Sequence, residues 1–420
     1  NRPTAPARRD ARLVDELRAA PGEPAIVYVT LQRTAEEVAG MLAGAGLDAK
    51  PYHAGLDGGV RTRIQDDFRA GRLPVVVATI AFGMGIDKPD IRRVVHYNLP
   101  GSLEAYMQES GRAGRDGQPA ECTLLADEGD RLTLENFAHG DMPDAGALRK
   151  LVFHILDQPA EFELSLYDLS LAYDIRQLVV ATTLAYLELD GVIEATGPRY
   201  AGYRLQLLEP EERILAGYNQ QRREFLRRLF ASAHKGRKWW RIETAGVAAE
   251  LDCEPRRVAA AIGYLADSGS LVAEPSGLRH GYRMRGQPGA KSQQAARLHE
   301  AFKARLERDL GRVARVIAYL HSPDCLPQTL CAYFGDPISP CGRCANCLGE
   351  AAGATGGWSP PGLDVADVAR MRELRDAGHA ALRSPRQLAR FLCGISSPAT
   401  TRARLTRDQR FGALAHVPFA

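Results

Sequence analysis

The sequence lacks the long apolar segments that carry a chain into or across a membrane. No run of eighteen consecutive apolar residues occurs, so we expect no bilayer-spanning helix. The first nine residues contain no apolar core, so they do not have the character of a signal peptide. We therefore expect a cytoplasmic protein with no membrane partner.

A strong excess of one charge is also missing. The formal net charge is only +3 over 420 residues, which is too small to indicate a polyanionic partner by itself. Such an argument has to rest on local clusters of lysine and arginine. The hydrophobic (45%) and charged (25%) contents are ordinary for a globular protein, and the length suits about three to five compact units.

Cysteines are few and unevenly placed. Five of the eight lie between Cys325 and Cys347, which is not the distribution of a disulfide framework. Four of them follow the spacing Cys325-x15-Cys341-x2-Cys344-x2-Cys347. Four thiolates suit tetrahedral Zn²⁺ and leave no open position for water, so the spacing predicts a structural zinc site. Cys331 lies in a helix-like segment, where we expect packing.

Residues 10 to 130 alternate strand-like and helix-like segments. Such alternation is typical of a parallel sheet with helices on both faces. Four short apolar runs, rich in β-branched residues, are the predicted strands: Ala25–Val29, Leu73–Thr79, Arg93–Tyr97 and Cys122–Leu125.

Two later segments, 165–207 and 246–284, repeat one pattern. Each predicts a short helix, a turn, a longer helix and then a hairpin, which is the order of a winged helix. Arg256 and Arg257 open the longer helix of the second segment, where a recognition helix contacts duplex DNA. The predicted hairpin tip at Pro275–Gly281 is a candidate wing. The alternative is a pair of α+β packing modules that bind no ligand.

The densest basic cluster is Lys235–Arg241, which also contains two tryptophans. Lys238 can neutralise a phosphate while the Trp239 ring stacks on a base. The alternative is that Trp239 and Trp240 belong to the hydrophobic core, and the sequence leaves both interpretations open.

The fold class predicted from these patterns is a multidomain α/β plus α+β protein. We expect the following segments: a linker at 1–22, an α/β lobe at 23–140, winged-helix-like modules at 145–208 and 209–288, a helical hairpin with the four-cysteine zinc module at 289–350, and a linker with a helical C-terminal segment at 351–420.

The motif at 108–117, Gln-Glu-Ser-Gly-Arg-Ala-Gly-Arg-Asp-Gly, carries two arginines three residues apart. This spacing predicts that Arg112 and Arg115 share one face of a helix. Guanidinium groups fork around phosphate oxygens and can stabilise the charge of a transferring γ-phosphoryl group. The alternative is a glycine-rich surface turn with solvated arginines.

A second motif, 78–89, directly follows a predicted buried strand. Gly83 and Gly85 expose backbone N–H groups that can approach phosphates. Thr79 offers a hydroxyl at the carboxyl end of the strand, where open α/β sheets place ligands, and Asp87 offers a carboxylate.

The strings Ala-Phe-Gly-Met-Gly-Ile-Asp-Lys-Pro-Asp and Gln-Glu-Ser-Gly-Arg-Ala-Gly-Arg-Asp-Gly resemble motifs V and VI of superfamily 2 helicases, in the form found in the RecQ family. Residues 28–33 resemble motif IV, and the resemblance is dense over about residues 20 to 130. The segment from Cys325 to Cys347 resembles the zinc module of the same family.

The resemblance implies a RecA-like lobe and a role for each motif residue. Arg115 would be the arginine finger, with Arg112 beside it on the phosphates. Thr79 would touch the DNA backbone. Contacts in the nucleotide site are implied for three further residues: Gln108, Asp87 and Gly85. Asp87 would also couple the nucleotide to DNA.

The sequence contains no Gly-x-x-x-x-Gly-Lys-[Ser/Thr] and no Asp-Glu-x-His. In the family these motifs belong to a first lobe, so ATP and Mg²⁺ are expected to bind only when that lobe is present, and the isolated chain is expected to be inactive. The family also places the zinc module directly after the second lobe, whereas about 150 residues intervene here.

The resemblance implies the C-terminal portion of an ATP-dependent 3′-to-5′ DNA helicase of repair or recombination. Its partners would be single-stranded DNA and duplex junctions, with 351–420 as a candidate site for proteins, and a bacterial version would associate with the nucleoid. The alternative is a non-enzymatic DNA-binding or partner-docking protein built on a retired motor lobe.

Overall fold

The chain folds into two compact units. The first consists of Asn1–Met142 together with Phe302–Ala420, and the second of Pro143–Ala301. None of the helices in the described part of the chain is long and apolar enough to cross a membrane. A computed structural model of the chain describes residues 6–82, 87–285, 290–350 and 359–419.

The first unit begins with a five-stranded, fully parallel sheet of order β2-β3-β1-β4-β5. The four predicted strands are confirmed. The edge strand β2 was not predicted, because its four residues include a lysine and a proline, which are tolerated at a sheet edge. The elements are α1 (Pro6–Arg18), β1 (Ala25–Tyr28), α2 (Gln32–Gly44), β2 (Ala49–Tyr52), α3 (Gly58–Arg69), β3 (Val75–Ala78), β4 (Arg93–His96), α4 (Leu103–Ser110), β5 (Glu121–Leu124) and α5 (Arg131–Asp141).

Helices cover both faces of this sheet. Every residue of β1 and β3 is buried, so these strands read as continuous apolar runs. Alternate residues of β1 enter different cores: Ala25 and Val27 pack with α1 and α2, whereas Ile26 and Tyr28 pack on the other side with Phe68 of α3. The RecA-like, doubly covered architecture expected from the sequence is therefore present.

The prediction of a linker at residues 1–22 is wrong for most of that segment. Residues 6–18 form α1, with Leu13 and Leu17 fully or almost fully buried in the core of the lobe. The Arg9 guanidinium donates to the Asp130 carboxylate at 3.1 Å, and both side chains are largely buried. The polar, arginine-rich composition concealed a narrow apolar stripe, which is enough to dock one helix.

The second unit contains a five-stranded antiparallel sheet of order β6-β10-β7-β9-β8. Both predicted helix-turn-helix pairs are present, as α7–α8 and α11–α12. The elements are α6 (Ala145–Leu156), β6 (Glu161–Leu164), α7 (Leu166–Tyr173), α8 (Gln177–Leu189), β7 (Ile193–Leu207), α9 (Glu211–Ala216), α10 (Gln220–Ala231), β8 (His234–Lys235), β9 (Trp240–Glu243), α11 (Thr244–Glu250), α12 (Pro255–Asp267) and β10 (Leu271–Met284).

The prediction that each pair is followed by its own hairpin is wrong. The long strands β7 and β10 pair with each other, in a register that runs from Leu271↔Leu207 to Met284↔Ile193. The expected wing at Pro275–Gly281 lies inside β10. We call the antiparallel pair of β7 and β10 the ribbon. The glycines of this segment do not reverse the chain but produce local irregularities in the ribbon: Gly277 adopts a φ of +66°, and the register shifts at Gly281.

The segments predicted as separate modules at 145–208 and 209–288 thus share one sheet. One half of the ribbon lies with β6 and the helices of the first segment. The other half lies with β9 and a core formed by α9 to α12, which includes Leu205, Phe230, Ile262 and Leu271. Neither segment can complete its sheet without a strand from the other.

The chain leaves the first unit after Met142 and returns to it at Phe302. The lobe and the zinc module therefore belong to one unit, although about 150 residues separate them in the sequence. The remaining helices are α13 (Lys291–Leu320), α14 (Leu326–Tyr333), α15 (Val365–Asp376), α16 (Pro385–Leu392) and α17 (Pro398–Arg402). The end of α13 and the whole of α14 pack on the lobe in one core, which includes Tyr106, Leu124, Tyr319 and Leu330.

The helical C-terminal segment expected from the sequence is present. Its small core contains Leu374, Leu388 and Phe391. The Arg386 and Arg390 guanidinium groups donate to the carbonyl oxygens of Met142 and Gly140, at 2.8 and 3.3 Å, and so hold α16 against the end of α5. The glycine-rich linker expected at 351–357 lies outside the described residues.

Candidate functional site

The carboxyl end of β3 leads directly into the first motif. Thr79 is the next residue after β3 and is 8% exposed. Its backbone N–H donates to the Tyr52 carbonyl at 3.2 Å, and its own carbonyl accepts from the Phe82 N–H at 3.0 Å. The backbone is thereby turned sharply at the sheet edge where open α/β sheets bind ligands. Gly83 and Gly85 lie outside the described residues.

The two arginines of the second motif do not share a helical face, so that prediction is wrong. Helix α4 ends at Ser110, and residues 111–117 form consecutive turns. Gly114 adopts a φ of +63°, and a Cβ at that position would lie 2.8 Å from the Gln118 carbonyl oxygen. The glycines that permit close approach also prevent the helix from continuing.

Because of this turn, the two arginines have different surroundings. Arg112 is buried, at 6% exposure. The Arg115 side chain is 43% exposed, its Nη1 lies 4.0 Å from the Asp87 carboxylate, and the Asp87 side chain is 94% exposed. Arg115 Nε also donates to the Gly111 carbonyl at 3.3 Å. Arg115 and Asp87 therefore lie together and are accessible to a ligand.

Backbone hydrogen bonds hold the two motifs together. The Gly114 N–H donates to the Ile91 carbonyl at 2.9 Å, and the Asp116 N–H to the Pro89 carbonyl at 3.3 Å. Arg92 also pairs with Asp116, and this hydrogen bond lowers the pKa of the Asp116 carboxyl. The turn that carries Arg115 is thus fixed to the segment that follows Asp87.

A buried polar cluster beneath this surface was not predicted. The Tyr28 hydroxyl donates to the Phe82 carbonyl at 3.1 Å, and its ring stacks on His96 with centroids 5.4 Å apart. His96 Nε2 lies 2.7 Å from the Glu109 carboxylate. Burial raises the pKa of Tyr28, and the nearby charge of Arg112 opposes that rise. The cluster links β1, β4 and α4 to both motifs.

Only one feature of the sequence pointed to this cluster. His96 interrupts the apolar strand Arg-Val-Val-His, where a buried polar residue needs a partner. Glu109 and Arg112 lie within the recognised motif, but no role was predicted for Glu109, and Arg112 was predicted to contact phosphates. Gln108, a predicted nucleotide contact, is exposed on the last turn of α4.

The four predicted zinc ligands lie together. The Sγ atoms of Cys325, Cys341, Cys344 and Cys347 are all within 4.8 Å of one another. Zinc–sulfur bonds of about 2.3 Å imply sulfur separations of about 3.8 Å, so the group fits one ion with small adjustments. The Cys341 and Cys344 N–H groups donate to the sulfurs of Cys325 and Cys341, at 3.1 and 3.3 Å, which stabilises thiolate charge. Cys331 lies on α14, outside this group of described residues.

Hydrogen bonds hold the zinc module against its surroundings. Asn346 Nδ2 donates to the carbonyls of Ser322 and Asp324, at 2.7 and 2.6 Å, and closes the cysteine turn onto the end of α13. The Tyr333 hydroxyl donates to the Glu104 carboxylate of the lobe at 2.6 Å, and this bond lowers the pKa of Glu104 to about 2.

In the second unit, strands β8 and β9 form a short hairpin at the edge of the sheet. Its turn, residues 236–239, contains the exposed Lys238. Trp240 packs on the core and lies edge-on to Phe230 at 5.9 Å. Trp239 is half-buried, and the Arg204 guanidinium lies 4.7 Å from its ring centroid. The two tryptophans therefore have different environments: Trp240 belongs to the core, and Trp239 lies in a basic surface cavity of about 380 Å³.

The two candidate recognition helices differ in charge. The sequence of α8, Gln-Leu-Val-Val-Ala-Thr-Thr-Leu-Ala-Tyr-Leu-Glu-Leu, contains no lysine or arginine. Helix α12 begins with the exposed Arg256 and Arg257, and the Arg257 guanidinium lies 4.8 Å from the Phe225 ring centroid. The second segment is therefore the better candidate for contact with a polyanion.

Comparisons with known proteins match the lobe and the zinc module. A family model described as "Helicase conserved C-terminal domain" matches residues 8–117, and one described as "RecQ zinc-binding" matches residues 290–348.

Curated relatives match a part of the chain. ATP-dependent DNA helicase Q-like 5 of Arabidopsis thaliana is 39% identical over 172 residues, which are 40% of this chain and 19% of that protein. RecQ-like DNA helicase blm-1 of Caenorhabditis elegans is 51% identical over 114 residues, covering 27% and 12%. ATP-dependent DNA helicase RecQ of Haemophilus influenzae is 46% identical over 114 residues, covering 27% and 18%. The chain spans less than one fifth of the length of these relatives.

Among solved structures, the Escherichia coli DEAD-box protein SrmB bound to RraA matches 32% of this chain and 78% of that chain, at 28% identity and a TM-score of 0.29.

Proposed function

We propose that this chain supplies half of the ATP site and the DNA-binding surface of an ATP-dependent DNA helicase. The chain is the C-terminal portion of a RecQ-family superfamily 2 helicase and contains the second helicase lobe and the zinc-binding module. The observation that carries the proposal is the meeting of Arg115 with Asp87 at an exposed sheet edge, 4.0 Å apart. The two residues come from separate motifs, and each is accessible to a ligand.

In this proposal Arg115 is the arginine finger. Its guanidinium carries a permanent charge, is held by the turn at 111–117, and stabilises the negative charge that develops on the γ-phosphoryl group. The buried cluster of Tyr28, His96 and Glu109 holds Arg112 and the backbone at Phe82 in place. ATP and Mg²⁺ require the phosphate-binding loop and the Mg²⁺-binding carboxylate of a first lobe, motifs that these 420 residues do not contain.

The second unit is the proposed DNA-binding region. Arg256 and Arg257 at the start of α12, and Lys238 and Trp239 on the β8–β9 hairpin, are the proposed contacts. Thr79 is proposed to touch the DNA backbone. The four-cysteine module carries a structural zinc ion that stabilises the part of the chain packed on the lobe.

The direction of movement, the preferred DNA and the cellular role are proposed from the RecQ family. We propose 3′-to-5′ movement on single-stranded DNA next to duplex junctions, with a role in repair or recombination. The protein would act where chromosomal DNA lies, which in a prokaryote is the nucleoid in the cytoplasm. Residues 351–420 are the proposed site for protein partners, and the described part of this segment has a small hydrophobic core.

The arginine finger is tested in a protein that contains both lobes. Arg115→Ala should lower ATP turnover at least about a hundredfold while leaving the fold intact. Arg69→Ala is a matched control, because Arg69 is a half-exposed arginine of the same lobe that lies outside the motifs and pairs with Asp66 on its own helix. The 420-residue chain alone should show no turnover. Near-normal turnover in Arg115→Ala would show that Arg115 is not the arginine finger.

DNA binding is tested with the 420-residue chain. Affinity for both strand forms should fall steeply as salt rises, because phosphate contacts release counterions. Arg256→Ala should weaken duplex binding with little effect on stability. Trp239→Ala should weaken single-strand binding by about 1–3 kcal/mol in a folded protein. Binding that is absent or insensitive to salt would make the second unit a structural spacer.

A further inference from the structure

Helices α10 and α12 of the second unit enclose an open groove, and the proposed DNA contact Arg257 is one of the residues that line it. Its volume is about 450 Å³, within the ~300–1,000 Å³ range of small-molecule sites. On α10, residues Arg222 and Phe225 face the groove, and on α12, residues Arg257 and Tyr264 face it from the other side. These spacings of three and seven residues place each pair on one side of its helix.

The groove exists because one wall is made of small residues. Ala260 and Ala261 lie opposite the larger side chains of α10, so the two helices do not fill the space between them. Leu226 and Leu265 form the floor and belong to the core of the unit. The groove is therefore a fixed feature of packed helices.

Aromatic rings form much of the wall. Tyr264 is 59% exposed, and Tyr218 lies edge-on to it with ring centroids 6.2 Å apart. Phe225 is half-buried, and the Arg257 guanidinium lies 4.8 Å from its centroid. A ring that is more than half exposed next to two other rings provides a face on which a planar group can stack.

The charge of the groove selects the class of occupant. The charged residues that line it, among those the structure describes, are Arg222 and Arg257, and none of the described lining residues is a carboxylate. Both arginines are exposed, and Arg256 lies beside them at the start of α12. A planar apolar group attached to a negatively charged backbone fits this combination better than a peptide or a neutral ligand.

We propose that this groove binds an unpaired base of single-stranded DNA, with the base stacked on Tyr264 and the flanking phosphates held by Arg222 and Arg257. The inference rests on the proposed DNA-binding function of the second unit. It adds a base-binding site along the side of α12 that borders its buried face, distinct from the Trp239 cavity on the β8–β9 hairpin. The unit would then hold unpaired DNA at two aromatic sites.

The test measures the affinity of the 420-residue chain for two labelled strands, by fluorescence anisotropy at one salt concentration. One strand is an eight-nucleotide oligothymidylate, and the other is the same phosphodiester backbone without bases. Tyr264→Ala should weaken binding of the oligothymidylate about fivefold or more and leave the abasic strand nearly unchanged. Tyr264→Phe should behave like the unchanged chain, because the stacking face remains.

Two further variants separate stacking from general effects. Tyr167→Ala is the matched control, since Tyr167 is a similarly exposed tyrosine (58%) of the same unit outside the groove, and it should bind both strands normally. Arg222→Ala should weaken both strands alike and reduce the dependence on salt.

The outcomes separate the groove from the broader function. One outcome is that Tyr264→Ala and the unchanged chain bind oligothymidylate with equal affinity while Arg256→Ala or Trp239→Ala binds more weakly. That result overturns the proposed base-binding site in the groove but supports DNA binding by the second unit. An equal loss on both strands also overturns it, because the tyrosine would then act on the backbone. Loss of self-association in Tyr264→Ala with unchanged DNA affinity would make the groove a contact between copies. A chain that binds no DNA overturns both proposals.

Discussion

The two units differ in how far apart in the sequence their essential contacts lie. In the lobe, the residues of the candidate site come from two short motifs that follow successive strands, and parallel packing brings them to one edge. In the second unit, the sheet depends on β7 and β10, which are separated by four helices and two strands. Short sequence patterns therefore predict the structure of the first unit well. The structure of the second unit depends on the pairing of β7 with β10, which no short sequence pattern indicates.

The largest effect should come from cutting the second unit at its expected module boundary. A fragment of residues 143–208 retains β7 but loses β10, so it should remain unfolded. A fragment of residues 143–301 should fold, because it contains the whole compact unit. Circular dichroism and amide exchange distinguish the two. A folded, cooperative 143–208 fragment would mean that the ribbon is not required and that the modules are independent.

The next effect concerns the zinc module. Cys344→Ser should abolish binding of one zinc ion per chain and lower the melting temperature, by about 2–4 °C for each kcal/mol lost. Cys331→Ser is the matched control, because Cys331 lies on α14 beside the site and should retain zinc. Metal analysis of both variants provides the measurement. Zinc retained in Cys344→Ser and lost in Cys331→Ser would reverse the ligand assignment.

A smaller effect is expected where the ribbon meets β9. A Cβ at Gly202 would overlap the Ile242 carbonyl oxygen, so Gly202→Ala should destabilise the second unit by about 1–3 kcal/mol. Gly263→Ala is the control, since Gly263 lies on α12 with open space around it, and alanine there should stabilise by up to about 1 kcal/mol. Urea unfolding of fragment 143–301 measures both. Equal stability of the two variants would show that β9 approaches β7 less closely.

The smallest effect compares the two arginines of one motif. Arg112→Ala should lower stability by about 1–2 kcal/mol, because Arg112 is buried against the Tyr28 cluster. Arg115→Ala should change stability by less than about 0.5 kcal/mol, because its side chain is 43% exposed and its ion pair with Asp87 lies at the surface. Thermal melts of the 420-residue chain provide the comparison. Equal losses would indicate that both arginines have structural roles.

The sequence predicted the features that short, contiguous patterns determine. The four apolar strands and the four zinc ligands needed only period and spacing. The roles of Asp87 and Arg115 were implied only by the resemblance of their motifs to those of a helicase family. It did not predict that Arg112 and Arg115 separate, because Gly111 and Gly114 end the helix that their spacing suggested. It also concealed α1, whose buried Leu13 and Leu17 stand among arginines.

The remaining errors have one physical cause. Turn-forming residues such as Gly277 indicate a reversal of the chain only when no partner strand holds them extended. In the second unit β7 holds β10 along its length, so the glycines of 275–281 become a bulge and a twist within a strand. His96 and Glu109 similarly meet only in the fold, across the boundary between β4 and α4.

The ribbon also has a consequence for synthesis of the protein on the ribosome. Strand β7 is complete at Leu207, but its partner begins only at Leu271 and ends at Met284. At about 5–20 residues per second, the nascent chain therefore carries an unpaired strand edge for several seconds. Until β10 emerges, that edge can pair with the strand of a neighbouring nascent chain, so fast elongation and wide spacing between ribosomes should favour correct folding of the second unit.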